Sequence, residues 1–220
     1  MVKFFVLACM LTSCVWGVAH AYGESRPVQL SVYDPVQLVP GDQSIEGFRL
    51  GLPYTLNNNV SGLSLGVVNR TAGNAQGVAL GLANWTQGYF HGWQAGVSSV
   101  TDEDFTGLQS AAVTWTGGDF LGWQMGLVNN STGSFRGLST GALNLYQGAF
   151  AGVQLGIANY TLAPFEGFQC GIINYASEAK GFQLGVINWT KALDGVQIGL
   201  GNYNGKKRPF LFLPVVNWSF

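Results

Sequence analysis

Glycine returns at a fixed interval along this chain: it stands at 47, 62, 77, 92, 107, 122, 137, 152 and 167, then at 181 and 195 after two shorter steps of 14. A short fixed period marks a repeat architecture and outranks local propensity as a guide to the fold. With the opening glycine as position 1, the stretch from Gly152 to Glu166 reads Gly-Val-Gln-Leu-Gly-Ile-Ala-Asn-Tyr-Thr-Leu-Ala-Pro-Phe-Glu. One further step reaches Phe210, which makes about twelve copies. Position 5 is Gly or Ala in every copy but the last, and position 8 is Asn in nine of the twelve, so the register is well defined. Position 14 is Phe in six successive copies from Phe90 to Phe165.

Each copy alternates with period two. Positions 2, 4 and 6 are apolar, as in Val153, Leu155 and Ile157, and positions 1, 3 and 5 carry Gly, Gln or Ser, and Gly. That alternation, with β-branched and aromatic residues, indicates strand. Positions 10 to 13 hold Gly, Ser, Thr and Asp, whose backbone freedom and side-chain hydrogen bonds suit turns. No helical period appears after residue 21.

Two architectures accept such a unit: an antiparallel meander closed into a barrel, or a solenoid with one coil per copy. A strand of about 11 residues and a tight turn match the roughly 9–11 residues that cross a bilayer at a tilt. Aromatics at positions 14 and 9, among them Trp85, Trp115, Tyr160 and Trp189, suit interfacial girdles. Trp93 and Trp123 recur in alternate copies, as strands of a meander would. The terminal Val216-Asn217-Trp218-Ser219-Phe220 resembles the closing-strand signal of outer-membrane barrels. The expectation is therefore an all-β protein of 15-residue repeats forming a β-barrel of about 12–14 strands, with the β-solenoid as the alternative. Proline in the strand portion of the end copies alone (Pro53, Pro214), short loops throughout and a shallow apolar face favour the solenoid.

The first residues read as an export signal. Lys3, the apolar run from Phe4 to Val18 and Ala19-His20-Ala21 predict cleavage after Ala21. Leu11-Thr12-Ser13-Cys14 offers lipidation at Cys14 instead. The expected organisation is a signal peptide over 1–21, an N-terminal strand or cap segment over 22–46 and the β-repeat domain over 47–220. Cleavage after Ala21 leaves Cys170 as the one cysteine, which rules out a disulfide framework and suits a bacterial envelope. The Asn-x-Ser/Thr matches are then part of the repeat and not glycan acceptors. Charged residues are only 10% of the chain, and the formal net charge is −1. Such a surface provides no basic patch for nucleic acid and would be at home beside lipid.

The units Gly122 to Asn129, Gly152 to Asn159 and Gly181 to Asn188 share Gly-hydrophobic-Gln-Leu/Met-Gly-hydrophobic-x-Asn. This pattern resembles the bacterial surface-repeat protein family, over residues 47 to 218. The resemblance implies an envelope or cell-surface location and no particular activity. The copy at Gly107 departs from it, with Ser110-Ala111-Ala112-Val113-Thr114, and the copy at Gly92 has Ser99 for Asn.

No constellation for catalysis, cofactor binding or metal binding emerges, and an enzyme is not expected. After residue 21 the only histidine is His91, which reads as a surface residue. Asp102-Glu103-Asp104 lacks calcium-loop spacing. Cys170 replaces an apolar residue and reads as buried packing. The basic run Lys206-Lys207-Arg208 reads as an exposed turn that could touch acidic headgroups. Gln94, Gln109, Gln124, Gln154, Gln169, Gln183 and Gln197 form a row on the glycine side, expected to line a narrow neutral interior and bond to one another. The expected role is that of an outer-membrane β-barrel or surface-repeat protein acting in structure, surface display or as a weak pore, with outer-membrane lipid as partner. The alternative is an extracellular β-solenoid for adhesion or binding, lipid-anchored if Cys14 is processed.

Overall fold

The computed structural model describes residues 25–207 and 210–220. The expected export signal, Cys14 and Arg208 lie outside the described residues. The strands are β1 (Arg26–Tyr33), β2 (Val36–Gln37), β3 (Ile45–Asn57), β4 (Val60–Thr71), β5 (Ala75–Thr86), β6 (Phe90–Thr101), β7 (Phe105–Thr116), β8 (Phe120–Ser131), β9 (Phe135–Tyr146), β10 (Phe150–Asn204) and β11 (Phe212–Ser219). From β3 to β10 every neighbour is parallel and in register at one repeat, so that Gly62 pairs with Gly77, Phe105 with Phe120 and Asn144 with Asn159. Parallel pairing of consecutive copies without a crossover means that each copy makes a full circuit beneath the next. The chain is a β-solenoid, and the barrel reading is overturned.

The opening glycine has a backbone set apart from the rest of the coil. All eleven from Gly47 to Gly195 have φ between 111° and 145°, a region that side chains rarely occupy. Such a φ kinks the chain locally, a glycine corner that lies within the strand and apart from the bends at positions 11 and 12, as at Gln87–Gly88 and Gly117–Gly118. Equivalent corners stack so closely that a Cβ on Gly137 would collide with the carbonyl oxygen of Gly122. Position 5 is tight for another reason: a Cβ on Gly141 would lie 2.6 Å from Asn129 Nδ2 and Gly126 O. The coil-to-coil hydrogen bonds continue through the turns, where Phe120 N donates to Ser134 O at 2.8 Å and Phe135 N to Ala149 O at 2.7 Å.

The ends are built differently. β1 adds in parallel to β3, and the two-residue β2 pairs antiparallel with β1. At the other end β11 runs antiparallel to the last coil, with Trp218 opposite Val196 and Asn217 opposite Gln197. The stretch from Phe210 is therefore not another coil. Phenylalanine at position 1 does not favour the left-handed corner, and Pro214 replaces the position-5 glycine.

Inside the coils the side chains reverse the polarity of an ordinary soluble core. Positions 3, 8 and 10 are polar and fully enclosed: Gln154, Asn159 and Thr161 are each 0% exposed. Position 14 adds one apolar column. Phe90, Phe105, Phe120, Phe135, Phe150 and Phe165 stack with centroids 4.6–5.5 Å apart and planes within 21°. The spacing is close to that between adjacent strands, so identical rings fall into offset contact without adjustment. The phenylalanines expected at a membrane interface are instead the core, each worth roughly 1.5–3 kcal/mol of burial.

Two amide ladders run through this core in opposite senses. Along the Asn column, Asn129 Nδ2 donates to Asn144 Oδ1, Asn144 to Asn159, Asn159 to Asn174, Asn174 to Asn188 and Asn188 to Asn202, all at 2.7–2.8 Å. The second hydrogen of each goes to a backbone carbonyl such as Leu155 O. Along the Gln column the donors point back toward the N-terminus: Gln124 Nε2 to Gln109 Oε1 at 2.9 Å, and Gln197 Nε2 to Gln183 Oε1 at 2.7 Å. The aligned amide dipoles of one column thus oppose those of the other. The expected row of mutually bonded glutamines is present, enclosed by the coil.

Candidate binding surface

The outward side chains carry the apolar residues that an ordinary soluble solenoid would keep inside. Position 6 is the most exposed: Leu82 59%, Leu127 64%, Ile157 59% and Leu200 74%. Beside it lie position 4 (Leu155, Leu184), position 7 (Val113, Ile173) and position 9 (Trp85, Tyr160, Trp189), all exposed. Trp93 and Trp123 stand two coils apart in the position-2 column, also exposed. Aromatic neighbours stack along the axis, Tyr160 on Tyr175 at 4.3 Å and Trp189 against Tyr203 at 4.3 Å. They present a continuous apolar side, far beyond the isolated exposed hydrophobics of a soluble monomer.

Charge is confined to the opposite edge. Between Gly62 and Asp194 every charged side chain except Arg70 occupies positions 11 to 15. Arg70 lies over the Trp85 ring, 4.6 Å from its centroid. Along this edge a groove of about 810 Å³ follows the Phe column from Asp104 to Lys206, flanked by Asp119, Arg136, Glu166 and Lys180. Its walls mix both signs. Lys180 and Glu166 meet at 3.5 Å, both well exposed, a pair of little energetic weight.

The residues singled out by sequence are scattered over this frame. His91 is exposed at position 15. Asp102 Oδ2 accepts from Trp85 Nε1 at 3.0 Å, and Asp104 Oδ1 accepts from the backbone N of Asp119 at 2.8 Å, so the acidic turn has structural partners. No group of three or more His, Cys, Asp or Glu able to hold a metal occurs among the described residues. Cys170 is half-buried on the outer side, not in the core, because position 4 points outward. Lys206 is exposed, while Lys207 folds back: its Nζ donates to Asn217 Oδ1 at 3.0 Å and Trp218 O at 2.8 Å.

Two buried ionisable groups escaped sequence reading. Arg49 takes the glutamine position of its coil, 2% exposed, and desolvation lowers its pKa to about 10. Tyr146 stands at position 10 in place of Thr, and burial raises its phenol well above the ordinary value, opposed by a hydrogen bond with Ser139. Its signal was a size exchange: Ser139 replaces Gln in the same coil, and the Tyr146 hydroxyl reaches Ser139 Oγ at 2.6 Å and Gln124 Oε1 at 2.7 Å.

No family model matches the chain, and neither a curated protein nor a solved structure is similar to it.

Proposed function

We propose that this chain is an exported binding module of the bacterial envelope that lies along a lipid surface through its apolar side. One observation carries the reading: amides fill the interior, apolar side chains face outward, and charge is confined to one edge. Because each coil hydrogen-bonds its backbone to the coils above and below, the lateral wall offers lipid no unpaired backbone groups. An amphipathic body of this kind settles in the plane of the interface, as an amphipathic helix does, with its charged edge in water. The resemblance to surface-repeat proteins and the export signal read from the sequence support the same location. Adhesion or attachment, not catalysis, is the role such a surface serves.

Flotation of the mature protein with vesicles of phosphatidylethanolamine and phosphatidylglycerol tests this. The protein should float, with a blue shift of tryptophan emission from Trp93 and Trp123. A Leu82→Glu, Leu127→Glu, Ile157→Glu variant should stay at the bottom of the gradient while keeping its β-sheet circular dichroism. Wild-type protein that stays at the bottom, whether as a monomer or as oligomers formed through the apolar side, would overturn the proposal.

A further inference from the structure

The interior thins in the coils that open at Gly62 and Gly77. There Val60 and Ala75 take the place of the Phe column, and Ser64 and Ala79 that of the Gln column. Arg49 leans into the missing volume from the coil before, its Nε donating to Ser64 Oγ at 3.1 Å and its Nη1 to Arg70 O at 2.9 Å. A cavity of about 10 Å³ is left, lined by Arg49, Ser64, Asn69, Ala79, Thr86 and Gln94 among others. That is room for one guest of about the size of a water molecule.

The electrostatics of this cavity are one-sided. The Gln column aims its N–H groups toward the N-terminus. Its first member, Gln94, accepts at Oε1 from Gln109 Nε2 at 3.2 Å, which leaves its own Nε2 aimed toward Ala79, buried and without a partner. The donor end of an aligned amide row and a buried guanidinium therefore line the same space. No carboxylate answers them: the one ion pair among the described residues is Lys180 with Glu166. The acceptor Asn69 Oδ1 is also unpaired, but Thr55 lies beside it in the preceding coil, as Thr114 lies beside Asn129, where the hydroxyl donates at 2.7 Å. A change of the Thr55 side-chain rotamer that brought Oγ1 to the place Thr114 Oγ1 holds would meet that need within the protein. Neither Arg49 nor Gln94 has such a remedy, and a buried cation without a counter-charge is costly.

We propose that this cavity binds one small inorganic anion of the chloride class, held by the Arg49 guanidinium and the free Nε2 of Gln94. Arg49, with a pKa near 10, is protonated at neutral pH and supplies the charge. The ion is acceptor-only, as both donors require, whereas a water would bring two hydrogens into a space rich in donors.

Thermal unfolding of the mature protein, with sodium gluconate replaced stepwise by sodium chloride or bromide at constant ionic strength, reads the site. Once the halide exceeds its Kd, each further tenfold increase should multiply the folding equilibrium constant about tenfold, which raises Tm by about 4 °C in a domain of this size. Ala79→Gln extends the glutamine column into the cavity and gives Gln94 Nε2 an acceptor, so its Tm should not respond to halide. Crystals grown in bromide should show an anomalous peak in contact with Arg49. A wild-type Tm that ignores halide, an Ala79→Gln variant that keeps the full response, or a bromide map with only a water at Arg49 would each overturn the proposal.

Discussion

The coils before Gly92 and those after it share one backbone course but are filled differently. From Phe90 to Phe165 the apolar column is a continuous ring stack, and from Asn129 to Asn202 the Asn column is unbroken. Before Gly92 the apolar column is Ile45, Val60 and Ala75, and the Gln column is Arg49, Ser64 and Ala79. The two regions nevertheless keep the same parallel register. The coil geometry therefore comes from what they share, the glycine corners and the coil-to-coil backbone bonds, while the ladders set how strongly each segment is held. In a solenoid stability is approximately a sum over neighbouring coils, so unequal filling implies unequal local stability.

The corners give the largest expected effect. Gly137→Ala and Gly62→Ala both force a side chain into a φ of 139° or 121° and onto a stacked carbonyl. Each should cost more than about 4 kcal/mol, enough to prevent folding of a marginally stable domain. Far-ultraviolet circular dichroism of both variants checks this, and a folded Gly62→Ala beside an unfolded Gly137→Ala would show that the thin coils tolerate distortion the filled ones cannot. Next comes the apolar column. Phe120→Ala should lose about 3–5 kcal/mol in urea unfolding, Val60→Ala about 1–2 kcal/mol. Equal losses would mean that the ring stack adds nothing beyond its position.

Ladder breaks come third. Asn144→Ala leaves one of the two Asn129 Nδ2 hydrogens without its acceptor, the other keeping Thr140 O, and leaves Asn159 Oδ1 in place with its ladder donor gone, in a closed interior. The expected cost is about 2–4 kcal/mol. Asn84→Ala disturbs only the bond from Asn69 and one to Ala95 O, because the following residue in the column is Ser99, whose hydroxyl already has no partner. It should cost about half as much, measured by the same urea midpoints.

The period, the strand character and the self-bonding glutamine row were all legible in the residues. Gln154, Gln169, Gln183 and Gln197 lie where alternation placed them, on the side opposite Leu155 and Ile157. What alternation does not contain is which side is inside. In a barrel or a solenoid alike it groups Leu155 with Ile157, and only the closure of the chain decides whether they meet lipid or core. Alternation also hides the positive φ of the position-1 glycines, which read in sequence only as small residues. The same ambiguity misplaced Phe120 and its stack as interfacial, because a lone aromatic next to a turn looks alike whether it points in or out. Thr161, read as the start of a turn, is interior because the strand continues one residue farther before turning. Proline at 53 and 214 and the short loops already pointed to an open array, and those were the features that agreed with the final fold.

The smallest effect contrasts the two regions through their buried ionisable groups. Tyr146, in the filled segment, has a raised pKa, so the folded state holds its phenolic proton longer than the unfolded chain does. Its contribution is complete below the unfolded value of about 10 and declines as pH rises above it. Arg49, in the thin segment, has its pKa lowered to about 10 from the ordinary guanidinium value by desolvation, so above pH 10 the unfolded chain binds more protons, and stability attributable to this residue rises with pH. Subtracting the variant from wild-type unfolding free energy at each pH between 9 and 11.5 isolates the two groups from the other tyrosines and lysines. Tyr146→Phe, which also loses about 1–2 kcal/mol at pH 7 by taking the donor from Gln124 Oε1 and one of its bonds from Ser139, whose hydroxyl still donates to Asn144 Oδ1, should give a difference that falls with pH. Arg49→Met should give one that rises. Neither slope can exceed about 1.4 kcal/mol per pH unit for a single group. Slopes of the same sign would mean that one of these side chains reaches water in solution, and with it that one segment of the solenoid is open where the other is closed.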